Sequence, residues 1–307
     1  MNALRAGLSV VLFSVAILFA TSPSSAQLMI VGNDQKFAWD ETNTRQVMPP
    51  GKDTVSIVDI GTDPAAPKIV ANLPLMNSLI GPPTNLAMTP DERLAIVANS
   101  LDWVQDGASW KQVPDNKVFV IDLKMTPPVH AATLEVGRQP SGVAINRLGD
   151  LALVANRVDK SISGKAHQPQ DRTTRCVRTL EATPPRVIDR VAVGDAPEGL
   201  AISPTGEIAV AALLRGTNAP KTAWYYNRNG SIVILSIEGK RVTKIKELEV
   251  GGLPEGIVFS PDGKYLYVGN LIDRDVSILR VDGTNVTDTG KRLKLPGQPA
   301  SMRGRPR

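Results

Sequence analysis

Glu198 and Glu255 stand 57 residues apart, each held between a proline and a glycine in Pro197-Glu198-Gly199 and Pro254-Glu255-Gly256. Two carboxylates that a repeat brings to one place can act as a general base or as ligands to a hard cation such as Ca²⁺. Asn99, Asn156 and Asn270, with Asn33, each end a short apolar run, and their amide oxygens could join such a set. An asparagine there can equally cap a turn through its own side chain, and a glutamate beside glycine can simply be solvated. Trp103, Trp110, Trp224 and Tyr225 offer ring faces to an organic or cationic ligand. The same rings could instead pack long loops against one another. Neither a catalytic residue nor a resident cofactor follows from these residues; if a cation such as Ca²⁺ is held, Glu198 and Glu255 are its charged ligand candidates.

Other chemistries lack their parts. The chain has two histidines, His130 and His167, and one cysteine, Cys176. A single cysteine excludes an intramolecular disulfide framework and any multi-cysteine zinc or iron–sulfur site. Triad chemistry needs a placed imidazole, and His130 follows Pro127-Pro128 in a connection away from the glutamates. No glycine-rich phosphate loop runs from a strand into a helix. Arg303, Arg305 and Arg307 make a basic tail, too few charges for a nucleic-acid groove.

The elements that must position the candidate groups are written as a repeat. Segments opening at Pro83, Pro140, Pro197 and Pro254 align without gaps at three successive intervals of 57, and Pro299-Ala300-Ser301-Met302 opens a fifth copy. Each copy reads as four short strands. The first follows the proline, and a turn such as Ser260-Pro261-Asp262-Gly263 leads to a second such as Tyr265-Leu266-Tyr267-Val268-Gly269-Asn270. Third strands are predicted near 118–123, 232–237 and 276–281, and fourth strands near 134–136, 191–193 and 248–250. Aromatics are 4% of residues against 25 glycines and 24 prolines, as many tight turns between small apolar strands require. The expected fold is all-β: a β-propeller of four-stranded antiparallel blades, five of them countable. The last copy stops before its second strand, and Ile30-Val31-Gly32-Asn33 matches Tyr267-Val268-Gly269-Asn270. The N-terminal strand is therefore expected to complete the C-terminal blade and close the ring.

One copy departs from the pattern, around residues 157–180. Asp159-Lys160-Ser161-Ile162-Ser163 begins a third strand that breaks off, and Arg175, Cys176 and Arg178 then fall where Val118, Phe119 and Ile121 sit in another copy. A surface insertion would explain this, and so would a junction at 164–179 left by the loss of whole repeats.

Loops between second and third strands share a rim with the Pro-x-Gly loops, because strand direction alternates within a blade. Those loops are long at 33–55, 99–118 and 213–232, short at 270–276, and the long ones hold all four tryptophans, Trp39 included. Ligand binding is expected on this rim, and the rim of Ser-Pro-Asp-Gly turns is expected to be inert.

Val97-Ala98-Asn99, Val154-Ala155-Asn156, Tyr267-Val268-Gly269-Asn270 and the run at 260–267 resemble the secreted bacterial YVTN-repeat propellers, the YncE-like and lactonase-like group. The resemblance spans about residues 28–303. It implies a propeller, commonly of seven blades, and a group that includes binding proteins, lactone hydrolases and relatives of cofactor-dependent dehydrogenase subunits.

Residues 1–26 read as a secretory signal peptide: Arg5, an apolar stretch at 8–20, then Ser24-Ser25-Ala26. The domain proper is 27–307. Removing the signal takes one arginine and no acid, so the net charge falls from +5 to +4. The expectation is a soluble, exported monomer of the bacterial periplasm or exterior, with no membrane insertion after cleavage. Its main functional reading is a scaffold binding an unknown small molecule or protein. The alternatives are a lactonase-like hydrolase using Glu198 or Glu255, and a single-strand nucleic-acid binder stacking bases on tryptophan.

Overall fold

The computed structural model describes residues 27–77, 83–157, 174–179 and 186–305, of which 174–179 and 186–190 by backbone alone. The expected signal segment 1–26 and, in the irregular repeat, residues 158–173 with His167 and residues 180–185 lie outside the described residues, so residues 164–173 of the suspected junction at 164–179 do too. The described residues are all-β and contain no helix, hence none long and apolar enough to cross a membrane.

The N-terminal strands are β1 (Leu28–Asp34), β2 (Phe37–Trp39), β3 (Arg45–Val47), β4 (Thr54–Asp59) and β5 (Lys68–Leu73). The next repeat supplies β6 (Leu86–Met88), β7 (Leu94–Asp106), β8 (Ser109–Asp122) and β9 (Val129–Glu135). The irregular repeat supplies β10 (Pro140–Ile145), β11 (Ala152–Asn156), β12 (Thr174–Thr179) and β13 (Arg186–Ala192). Two regular repeats follow, as β14 (Pro197–Ile202), β15 (Ile208–Leu213), β16 (Ser231–Glu238), β17 (Arg241–Glu249), then β18 (Pro254–Phe259), β19 (Tyr265–Asn270), β20 (Asp275–Asp282) and β21 (Asn285–Lys294). The last strand is β22 (Gln298–Gly304).

Three repeats form antiparallel sheets in sequence order, β6-β7-β8-β9, β14-β15-β16-β17 and β18-β19-β20-β21. A fourth sheet runs β22-β1-β4-β5, so the two ends of the chain share it, with Val31 opposite Met302. The pairing follows from side-chain alternation: Met29, Val31 and Met302 enter one core with Val258, Tyr267 and Ile278 of the preceding repeat. Any one-residue slip would turn those apolar groups to the wrong face.

Successive sheets pack in the same way. Leu86 and Met88 lie on Ile30, Val55 and Ile57 of the sheet before. Val143 meets Ala98 and Val118, and Ile257 meets Val210 and Ile234. The irregular repeat is split between its neighbours. Its first half, β10-β11, packs on the preceding sheet, and its second half, β12-β13, places Val191 and Val193 against Leu213, Val233 and Leu235 of the following one. Innermost strands β10, β6, β22, β18 and β14 are neighbours in that order, and no comparable packing joins β14 back to β10 among the described residues.

The asparagines that end second strands act inside the sheets. Asn33 donates to Thr54 and Ser56 hydroxyls, at 3.1 and 2.8 Å. Asn99 donates to Asp115 at 2.6 Å. Asn270 donates to Asp275 and Ser277, both at 2.8 Å, and accepts the Gly251 N–H. Each buried amide pins its second strand to the third, satisfying groups that would be costly to bury alone.

The insertion at 99–118 is a strand ribbon rather than a loop. β7 and β8 pair as far as Asp106 opposite Ser109, past a bulge between Asn99 and Leu101. Alternation explains it: Leu101 and Trp103 turn inward while Asp102 and Val104 are more exposed, and Gly107 supplies the left-handed turn residue at φ 61°.

Candidate functional site

Each Pro-x-Gly motif is a β-bulge. Pro197 pairs Leu213 and Leu200 pairs Ala211, so the inner strand carries one residue more than its partner, and the same holds from Pro254–Asn270 to Ile257–Val268. A bulge breaks the alternation and re-aims a side chain. The residue before each proline reinforces the turn: Gln139, Ala196 and Leu253 have φ of 59°, 49° and 56°. Gly199 has no room for a side chain, since a Cβ there would collide with the Glu255 carbonyl oxygen. That close approach of β14 to β18 brings Glu198 and Glu255 to one cavity of about 460 Å³.

The cavity also holds Asp34 from the end of β1 and Arg45 from β3. Burial pushes the Glu255 carboxyl well above its ordinary range, and the neighbouring Glu198 charge pushes it further. Arg45 lies with its guanidinium carbon 4.6 Å from the Phe37 ring centre. Phe37 and Trp39 form the aromatic side, and Leu214, Leu253 and Leu271 pack beneath as an apolar base. The buried Trp39 indole N–H has no hydrogen-bond partner among the described residues.

The β2-β3 hairpin spans this cavity because both its ends are tied. Its tip residue Asn43, with φ 62°, donates to the carbonyls of Thr217 and Ala219 at 2.9 and 2.6 Å. At its base the fully buried Lys36 is ion-paired with Asp53, with Asp34 at 3.8 Å, and its ammonium lies 5.3 Å from the Trp103 ring centre. Burial lowers the Lys36 pKa, and the neighbouring acids Asp34, Asp102 and Asp115 oppose that shift.

Of the residues read as candidates, the structure brings Glu198 and Glu255 together, and the tryptophans divide. Trp103 is buried and supports Phe37 edge-on at 5.3 Å, with Trp110 packed beside it. A buried ring is no platform for stacking bases. Trp224 is 94% exposed and packs edge-on against Tyr225 outside the cavity lining. Asn99 and Asn270 are engaged within their sheets, and Asn156 reaches the Val154 carbonyl at 3.5 Å. Asp34, Phe37, Trp39 and Arg45 were not singled out as ligand-binding residues from the sequence. The alternation Phe37-x-Trp39, in an insertion already marked by its tryptophan, is the signal that could have found them. No cluster of three or more metal-ligating side chains occurs among the described residues.

The family described as the seven-bladed β-propeller lactonases matches residues 128–300, more than half of the chain. The chain belongs to this family. Among curated proteins nothing matches. Solved structures similar to this lactonase-family propeller include a periplasmic gluconolactonase of Pseudomonas aeruginosa, 14% identical, covering 91% of this chain and 99% of its own, with a TM-score of 0.48. A putative 6-phosphogluconolactonase of Bacteroides fragilis is 14% identical over 92% and 99%, with a TM-score of 0.43. The hydrazine synthase of Kuenenia stuttgartiensis is 16% identical over 94% and 92%, also at 0.43. The lactonase-family propeller thus carries its two repeat-related carboxylates on the rim that bears the long insertions.

Proposed function

We propose that this protein is a lactonase-like hydrolase of the periplasm or exterior, acting on a neutral lactone in the Glu198/Glu255 cavity. The repeats then run in order through the shared terminal sheet, with the irregular repeat at the open side between β10 and β14, where the family's further blades would be. The observation that carries the reading is a half-buried carboxyl, Glu255, raised in pKa beside a second acid and in a cavity shared with a guanidinium. A carboxylate of raised pKa is a stronger base, suited to taking a proton from water. Water oxygen would then bond to the lactone carbonyl carbon, with Arg45 stabilising the oxyanion. Collapse breaks the bond to the ring oxygen, which receives the proton from Glu255 and leaves as the hydroxyl of a hydroxy acid.

Arg45 is the one cationic side chain lining the cavity and the mechanism commits it to the oxyanion, so a neutral polyhydroxy lactone fits the site better than a phosphorylated one. The test is acid release from glucono-δ-lactone, followed by pH-stat against the buffer rate. Wild-type protein is expected to exceed the buffer rate, and Glu255→Gln to lower kcat by about 10²–10⁴-fold. A wild-type rate equal to buffer across neutral sugar lactones would overturn the reading. Saturable lactone binding without turnover would then leave the scaffold reading in its place.

A further inference from the structure

At the opposite ends of the inner strands, among the Ser-Pro-Asp-Gly-type turns, lies a second cavity of about 1090 Å³. Three arginines line it, Arg147 from the β10-β11 turn, Arg303 from β22 and Arg305 just beyond, and none of the described residues lining it is acidic. Arg303 is positioned by its Nε donating to the Leu86 carbonyl at 3.2 Å. Glu92, an acid whose charge Arg305 helps to stabilise, is buried and accepts the Leu28 N–H, so its carboxylate is already engaged.

Apart from Gln27, Asn146, Ser203 and Ser260 the rest of the wall is apolar, and the repeat shows why part of it is bare. Leu86, Val143 and Ile257 occupy one register position and are 0%, 9% and 9% exposed, each against the preceding sheet. Leu200, at the same position, is 50% exposed, and Ile202 two residues on is 61% exposed. Of the irregular repeat before them, β10-β11 packs on β6-β7-β8-β9 instead, and β12-β13 reaches Leu213, Val233 and Leu235 rather than Leu200 or Ile202. Leu200 and Ile202 therefore face the cavity with no sheet over them among the described residues, beside Phe259.

We propose that this cavity is a binding site for an anionic amphiphile, a fatty-acid-like carboxylate whose head meets the arginines and whose chain lies on Leu200, Ile202 and Phe259. Apolar contact alone would not select a head group, whereas an acid-free arginine cluster does, through charge-assisted hydrogen bonds. The site stands on the face opposite the carboxylate cavity and does not rest on the lactonase reading.

Isothermal titration with dodecanoate tests it. Saturable binding is expected, weakened at least about tenfold in an R147Q/R303Q/R305Q variant and again in Leu200→Asn, and unchanged in Glu255→Gln. Thermal unfolding of each variant shows whether it is folded, and the three separate substitutions replace the triple variant if it is not. Dodecyl maltoside, with the same chain and a neutral head, is expected to bind at least tenfold more weakly. Cosedimentation with vesicles containing phosphatidylglycerol, lost in the arginine variant, would assign the anionic head to a lipid, and its absence alongside dodecanoate binding would assign a free carboxylate. Equal affinity for the neutral amphiphile, or no saturable dodecanoate binding, would overturn the proposal.

Discussion

Burial holds the Glu255 carboxyl well above its ordinary value of 4.5, and this has a consequence for stability with a definite sign. Below that value the carboxyl is protonated in both folded and unfolded chains and contributes nothing. Above it the unfolded chain loses the proton while the folded one retains it, so stability falls as pH rises toward the folded pKa. Glu255→Gln is therefore expected to raise the thermal midpoint by a few degrees at pH 8 and leave it unchanged at pH 4, a difference scanning calorimetry would read. Hydrolysis has the opposite dependence, since kcat/KM should climb as Glu255 ionises, with a midpoint above the ordinary carboxylate range. Lys36 is a second residue whose environment sets its role. Replacing it by Met leaves Asp53 and Asp34 buried without their cation, and urea denaturation should show a loss of about 3–5 kcal/mol.

Two short elements build the cavity. The Pro-x-Gly bulge aims a side chain that ordinary alternation would direct elsewhere, and the β2-β3 hairpin brings Phe37, Trp39 and Arg45 across to face it. The hairpin holds its position through Asn43 reaching Thr217 and Ala219. Asn43→Ala removes both buried hydrogen bonds and the residue best suited to a positive φ. It should cost about 1–3 kcal/mol, raise KM for a lactone more than it lowers kcat, and be read by steady-state kinetics beside thermal unfolding. An effect on kcat alone would mean the hairpin does not position the ligand.

At the scale of the whole molecule, the shared sheet is the fastening. Met302 is 3% exposed and packs with Met29, Val31 and Tyr267, so one side chain joins the last strand, the first strand and the preceding repeat. Met302→Ala is expected to cost about 2–5 kcal/mol, seen as a lower urea midpoint. An effect no larger than that of an exposed substitution would mean the ends are not held together in solution. The irregular repeat is the complementary feature: its halves adhere to different neighbours, and Leu200 and Ile202 are bare as a result.

The repeat at intervals of 57, the pairing of Ile30–Asn33 with the last copy, and the placing of Glu198 and Glu255 on one rim were legible in the sequence. They depend on side-chain alternation and turn chemistry, which act over a few residues and recur in register. The strand ribbon at 99–118 is not legible as strands, because its pairing continues beyond a bulge. Which aromatics face the carboxylates was not legible at all. That choice rests on contacts between residues far apart in the chain, such as Asn43 with Thr217 and Lys36 with Trp103, and no local period encodes them. The bare Leu200 is the clearest case, since its sequence environment matches that of buried Ile257. Only the packing of the sheet before it, a tertiary fact, separates an apolar core residue from the wall of a cavity.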